Sequence, residues 1–116
     1  MMEARSTKLQ LIAQAVKGTG GTIPLPVIQA GLGAALLVIH EVTGGTVGGH
    51  VKLNLVTDLA GDNAVPHHGA GVNIPGANTT SSYSCVAYAV SEYVQLQLVT
   101  GDTTAIHNVW VQVMNV

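Results

Sequence analysis

The sequence predicts an all-β domain: an antiparallel β-sandwich or jelly-roll-like fold of about seven short strands, with an extended N-terminal arm. Three observations carry this. Apolar and polar residues alternate with period two, as in Val51, Leu53 and Leu55 against Lys52 and Asn54. Clusters of Gly, Pro, Asn and Asp break the chain at short intervals. No segment carries a period that demands a helix.

Residues 1–7 (MMEARST) have no period that would bury a face and read as an arm that is disordered in isolation or ordered by a neighbour. They lack the apolar centre of a signal peptide. The single domain then runs over 8–116. Segment 8–16 alternates Leu9, Leu11 and Ala13 against Gln10, Ile12 and Gln14. Leu, Ala and Gln also form helices, but the alternation favours a strand. After the Gly18–Gly21 break, Pro24 and Pro26 each remove a ladder donor, so 23–28 is an edge strand or an extended strap.

Segment 34–43 is apolar on both parities until His40 and Glu41, as expected of a central strand covered on both sides. The alternating segment 50–58 is its expected antiparallel neighbour, across a glycine-rich link. Residues 60–82 read as one long irregular loop with room for a short strand at 72–74, since Pro66 and Pro75 exclude a central strand. Segment 83–90 follows, with Val86, Tyr88 and Val90 on one face. Small Cys85, Ala87 and Ala89 on the other face would let a covering layer approach closely. The closing pair is the clearest: Val94, Leu96 and Leu98 alternate with Gln95 and Gln97. The 100–104 turn follows, and Val109, Val111 and Val113 then alternate with Asn108, Trp110 and Gln112. This reads as a hairpin whose outward rows are polar but uncharged.

Composition narrows the function. At 116 residues the chain is one domain's length, with enough apolar content for a core without staples. Its only cysteine, Cys85, excludes an internal disulfide. Only 9% of residues are charged, against about 25% in typical domains. A surface so poor in charge suits a subunit packed against copies of itself or a partner. The net charge of −2 argues against nucleic acid, which needs clustered Lys and Arg. The apolar-leaning run 27–39 is shorter than the about 20 residues a membrane helix needs.

Chemistry-bearing motifs are few. His67 and His68 are adjacent in the 60–82 stretch, near Asp58 and Asp62, while His40, His50 and His107 are scattered on or beside strands. Adjacent histidines on an extended chain point to opposite sides, so at most one serves a given metal site, and no metal ligand set is assigned. There is no nucleophile elbow, and Cys85 beside apolar Val86 reads as an inert small hydrophobe. None of the six acidic residues forms a nominated pair, and Gly31–Gly33 lacks the rest of a phosphate loop. No catalytic residue, cofactor or enzymatic activity is therefore assigned. Asn78-Thr79-Thr80 fits a glycosylation acceptor by chance in a Thr-rich loop. Trp110 reads as core or interface, with stacking on a sugar as the alternative.

The Tyr-Val-Gln-Leu strand, the Thr-Gly-Asp-Thr-Thr turn and the strand from Ile106 to Val113 resemble small tail-, neck- or capsid-associated structural proteins of tailed bacteriophages. So does the upstream order of strand, Pro-containing strap, Val/Leu-rich strand and Gly/Pro/Asn loop. The resemblance covers most of 8–116 in style and contains no diagnostic motif. It implies a non-enzymatic virion subunit, of capsid decoration or cement type or another assembly part. Such a subunit is a homo-oligomer that meets other virion proteins and binds neither nucleic acid nor membrane. The candidate interface residues are Arg5, Lys8, Pro24, Pro26, His67, His68, Gln95, Gln97, Trp110 and Gln112. The alternative is a carbohydrate- or surface-binding sandwich using Trp110, a tyrosine and the His67–His68 stretch.

Overall fold

A computed structural model describes residues 8–31, 34–73 and 81–114, and all their side chains except those of 68–73, 81–84, 86 and 88. Eight strands form: β1 (Gln10–Lys17), β2 (Thr22–Gln29), β3 (Ala35–Thr43), β4 (His50–Val56), β5 (Val65–Asn73), β6 (Ser81–Ala89), β7 (Tyr93–Val99) and β8 (Ile106–Met114). They build two four-stranded sheets, ordered β1-β8-β3-β6 and β2-β7-β4-β5, with every described pairing antiparallel. The all-β sandwich is the one the sequence predicts. Its strand order makes it a jelly roll, in which the chain passes from sheet to sheet at every link except β4–β5.

That topology corrects two expected pairings. β7 and β8 are not a hairpin, because β7 lies between β2 and β4 in one sheet while β8 lies between β1 and β3 in the other. Nor are β3 and β4 neighbours; they too face each other across the core. The physical reason is that period-two alternation fixes which face of a strand is buried and carries no information about its lateral partner. The 100–105 link that crosses the sandwich is tied at both ends, and at its far end the Ala105 carbonyl accepts the Gly18 amide at 2.9 Å. Thr100 is buried, and both its amide and its hydroxyl donate to the Gly21 carbonyl at 2.8 Å.

Between the sheets, Leu36, Val38, Val109, Val111 and Val113 meet Leu25, Val51, Leu53, Val94, Leu96 and Leu98. The inward rows read from β7 and β8 are the buried ones. In β1 the alternation breaks. Ala13 is buried against the core while Leu9 and Leu11 are 46% and 39% exposed, because two register shifts against β8 flank Ala13. Ala15, with φ +48°, lies in the second shift.

β2 and β5 are edge strands, which accommodates the prolines on them. Pro24 and Pro26 are exposed, and the register of β2 slips between Pro24 and Val27. β5 also occupies part of the 60–82 stretch expected as loop. Its ladder to β4 breaks between Lys52 and Asn54, and the Gly- and Pro-containing partner segment hides the usual strand signature. β3 is central, as expected, but is covered on one side only. Leu36, Val38, His40 and Val42 are buried, whereas Leu37 and Ile39 on the other face are half-buried.

Candidate functional site

The sandwich leaves two outer faces of different character. On the β2-β7-β4-β5 face, Gln95 and Gln97 stand beside Asn54 and Lys52 of β4 and beside Val27 and Pro24 of β2. Gln95 donates through Nε2 to the Leu25 carbonyl at 3.1 Å, which pins the irregular part of β2. The β4–β5 link folds back over this face: at Gly61 a Cβ would lie 3.2 Å from Gln95 Oε1 and 3.5 Å from Val27 Cγ2. Asn54 and Val56, though outward by parity, are accordingly buried.

The β1-β8-β3-β6 face is apolar. One row of aligned residues crosses all four strands: Leu11, Trp110, Ile39 and Cys85. The next holds Gln112, Leu37 and Ala87, and the one beyond it Met114, Ala35 and Ala89. Cys85, Ala87 and Ala89 are exposed on the edge strand β6. Within the strands of this face, charge lies towards one end. There Asn108 donates to Glu41 Oε1 at 2.8 Å and accepts the Ala15 amide at 2.7 Å, which holds the distorted part of β1.

At the same end of the sandwich, inside it, lies a feature the sequence does not announce. His40 Nε2 and His107 Nδ1 share a hydrogen bond at 2.9 Å, and neither ring has any exposure. The rings are 5.2 Å apart and inclined by 18°. His40 aligns with Val109 and His107 with Val42, so the two histidines are diagonal neighbours on the inner face of one sheet. His40 Nδ1 and His107 Nε2 have no protein partner. Burial, with repulsion from His107 and His50, lowers the His40 pKa from 6.5 to about 4. Burial lowers that of His107 too, opposed by the Asp102 charge. Both rings are therefore neutral at pH 7.

Asp102 closes that end. Its Oδ2 accepts the amides of Thr46 and Val47 at 2.7 and 3.0 Å and the Thr46 hydroxyl at 3.2 Å. Its Oδ1 accepts the amides of Thr104 and Ala105 at 3.0 and 2.8 Å. These bonds to the anion hold its carboxyl well below the usual range and clip the β3–β4 link to the β7–β8 link. Glycine serves the same junction. Gly49 has φ +68°, and a Cβ there would collide with the Val99 carbonyl.

The ten residues singled out from the sequence do not form one surface. Trp110 and Gln112 lie on the apolar face, whereas Gln95, Gln97, Pro24 and Pro26 belong to the opposite sheet. Lys8 is exposed just ahead of β1. His67 on β5 bonds through Nε2 to the Ala89 carbonyl of β6 at 2.8 Å, bridging the two sheets at one edge. His68 follows in β5 with its side chain outside the described residues, and Arg5 lies outside them altogether. No group of three or more His, Cys, Asp or Glu suited to a metal ion occurs among the described residues. The buried histidine pair escaped sequence reasoning because its members are 67 residues apart; only the β3–β8 register joins them. Their inward parity among Leu36, Val38, Val109 and Val111 was the available signal.

No family model matches the chain, and no curated protein is similar to it in sequence. Solved structures of similar fold include two from bacteriophages. One is the enzymatically active domain of tailspike protein 4 of bacteriophage CBA120, with a TM-score of 0.56 and 15% identity, covering 94% of this chain and 19% of that one. The other is the acidic stable capsid structure of Helicobacter pylori bacteriophage KHP30, with a TM-score of 0.50 and 17% identity. That match covers 97% of this chain and 91% of the capsid chain. What these likenesses share with the chain is the fold. It spans about a fifth of the tailspike chain and nearly all of the capsid chain.

Proposed function

We propose that this chain is a non-enzymatic structural subunit of a bacteriophage particle, a capsid decoration or cement protein or another assembly part that works through subunit–subunit interfaces. The observation that carries the reading is the two-way match to the capsid chain, 97% of this chain against 91% of that one. A surface with 9% charged residues and one apolar sheet face supports it, since such a surface is stable when covered. The paired histidines offer no competing chemistry, because both are sealed from substrate. On this reading the chain resides in the virion as a homo-oligomer, and residues 1–7 strengthen its contacts with neighbours. The test is mass spectrometry of purified particles of the phage that encodes it. The chain is expected there in many copies per particle, and its absence would overturn the proposal.

A second reading, a carbohydrate-binding sandwich, is favoured by one observation: Trp110 is half-buried on an open sheet face, where a sugar could stack. Trp110 is the only tryptophan, so its fluorescence isolates the question. The structural reading predicts no saturable change on titration with host surface glycans, and the second predicts one.

A further inference from the structure

We infer that the outer face of the β1-β8-β3-β6 sheet is a self-association surface, on which a second copy of this chain packs face to face about a two-fold axis. The inference rests on the structural-subunit reading and names the surface that would serve it. Size is the first argument. Four strands about 4.8 Å apart and nine residues long at about 3.4 Å each span roughly 500 Å² in projection. Two such faces therefore bury about 1,000 Å² or more, the lower limit for a specific interface.

Relief is the second. Trp110 on β8 is the bulkiest residue of its row, Leu37 and Ile39 on β3 are intermediate in size, and opposite them β6 offers Cys85, Ala87 and Ala89, with Tyr83 aligned to Glu41 towards the charged end. An axis lying between the sheets, parallel to β3 and midway between β3 and β8, overlaps all four strands and sets β8 of one copy over β3 of the other and β1 over β6. In the shared row Trp110 then meets the smaller Ile39 and Leu11 meets Cys85, at the about 10 Å separation of packed sheets. Charge is the third. The centre of the face carries none; Glu41 and Lys17 lie towards one end, and Glu41 is already bonded to Asn108. Little desolvation of ions therefore opposes contact. The opposite face lacks these properties, since the β4–β5 link already lies across Gln95 and Val27.

Cys85 supplies the readout. The rate at which its thiol reacts with a disulfide reagent is measured on the full chain over a wide range of concentration, alongside sedimentation velocity. Reactivity is expected to fall several-fold as the oligomer forms. Ile39→Lys is expected to keep its circular dichroism, stay monomeric and react at the dilute wild-type rate throughout. Ile39→Thr, a milder change that a half-exposed strand position accommodates, shifts the association midpoint in the same direction should the lysine variant fail to fold. Gln97→Lys, on the opposite face, should associate like wild type. An oligomer that leaves Cys85 reactivity unchanged, or that survives Ile39→Lys, overturns this surface while leaving the structural-subunit reading in place. A chain monomeric at every concentration overturns both. Protection of Cys85 and Trp110 by a glycan, on a chain that stays monomeric, overturns both in favour of a binding module.

Discussion

Lowering the pH from 7 to 4 should strip away a defined part of this protein's stability, and the His40–His107 pair should account for it. In the folded chain the His40 pKa is about 4, against 6.5 unfolded. Between those values the unfolded state binds the extra proton. The contribution is therefore complete above about pH 6.5 and declines as pH falls through the folded value. A gap of about 2.5 units at 1.36 kcal/mol each gives roughly 3 kcal/mol, a large share of a small domain's stability. His107, lowered in the same direction, adds to the loss, with Asp102 moderating it. Urea unfolding at fixed protein concentration, repeated at half-unit pH steps, measures the slope. His40→Leu/His107→Leu removes both titrating groups together with one buried donor and one buried acceptor that lack partners. That double variant should match wild type at pH 7 within about 1 kcal/mol, whereas either single variant strands the other ring and should cost about 2 kcal/mol. Between pH 6.5 and 4 the double variant should lose much less than wild type. Equal slopes would refute the assignment of this acid sensitivity to the pair.

Other outcomes follow from the loops and the β1 distortion. Asp102→Ala should lower the urea midpoint at neutral pH by unclipping the β3–β4 and β7–β8 links. Because its folded pKa lies below the ordinary 3.8, wild type should lose this contribution only as pH falls below about 4, and the variant should lack that acid limb of the profile. Gly49→Ala forces a Cβ onto the Val99 carbonyl at positive φ, beside the His50–Val99 pair of the β4–β7 ladder. Thermal unfolding should show a loss of about 2 kcal/mol or more. Asn108→Ala removes the acceptor for the Ala15 amide and the donor to Glu41. The cost should be about 1 kcal/mol in urea unfolding, with faster amide exchange in β1 than in β3.

Much of the fold is legible in the sequence because a two-layer sandwich writes its inside and outside into alternate positions. Val94, Leu96 and Leu98, and Val109, Val111 and Val113, are buried as their parity requires. Pro24 and Pro26 mark an edge because a missing amide can face solvent only there. Lateral order is not written that way. The same alternation serves β7 whether its neighbour is β8 or β4, so the long-range register had to come from three dimensions. Ladder irregularities hide β5 and break the row expected through Leu9, Leu11 and Ala13. Outward parity also hides what an outward polar residue does: Gln95 and Asn108 spend their amides on the distorted parts of β2 and β1 within the chain.

The claim that the chain is an assembly subunit meets its most direct test in the sedimentation of the purified full chain over a roughly hundredfold range of concentration. The account predicts a concentration-dependent shift from monomer to a species with two-fold symmetry or a higher assembly. A single monomeric boundary across the whole range, at neutral pH where the fold is most stable, would contradict it.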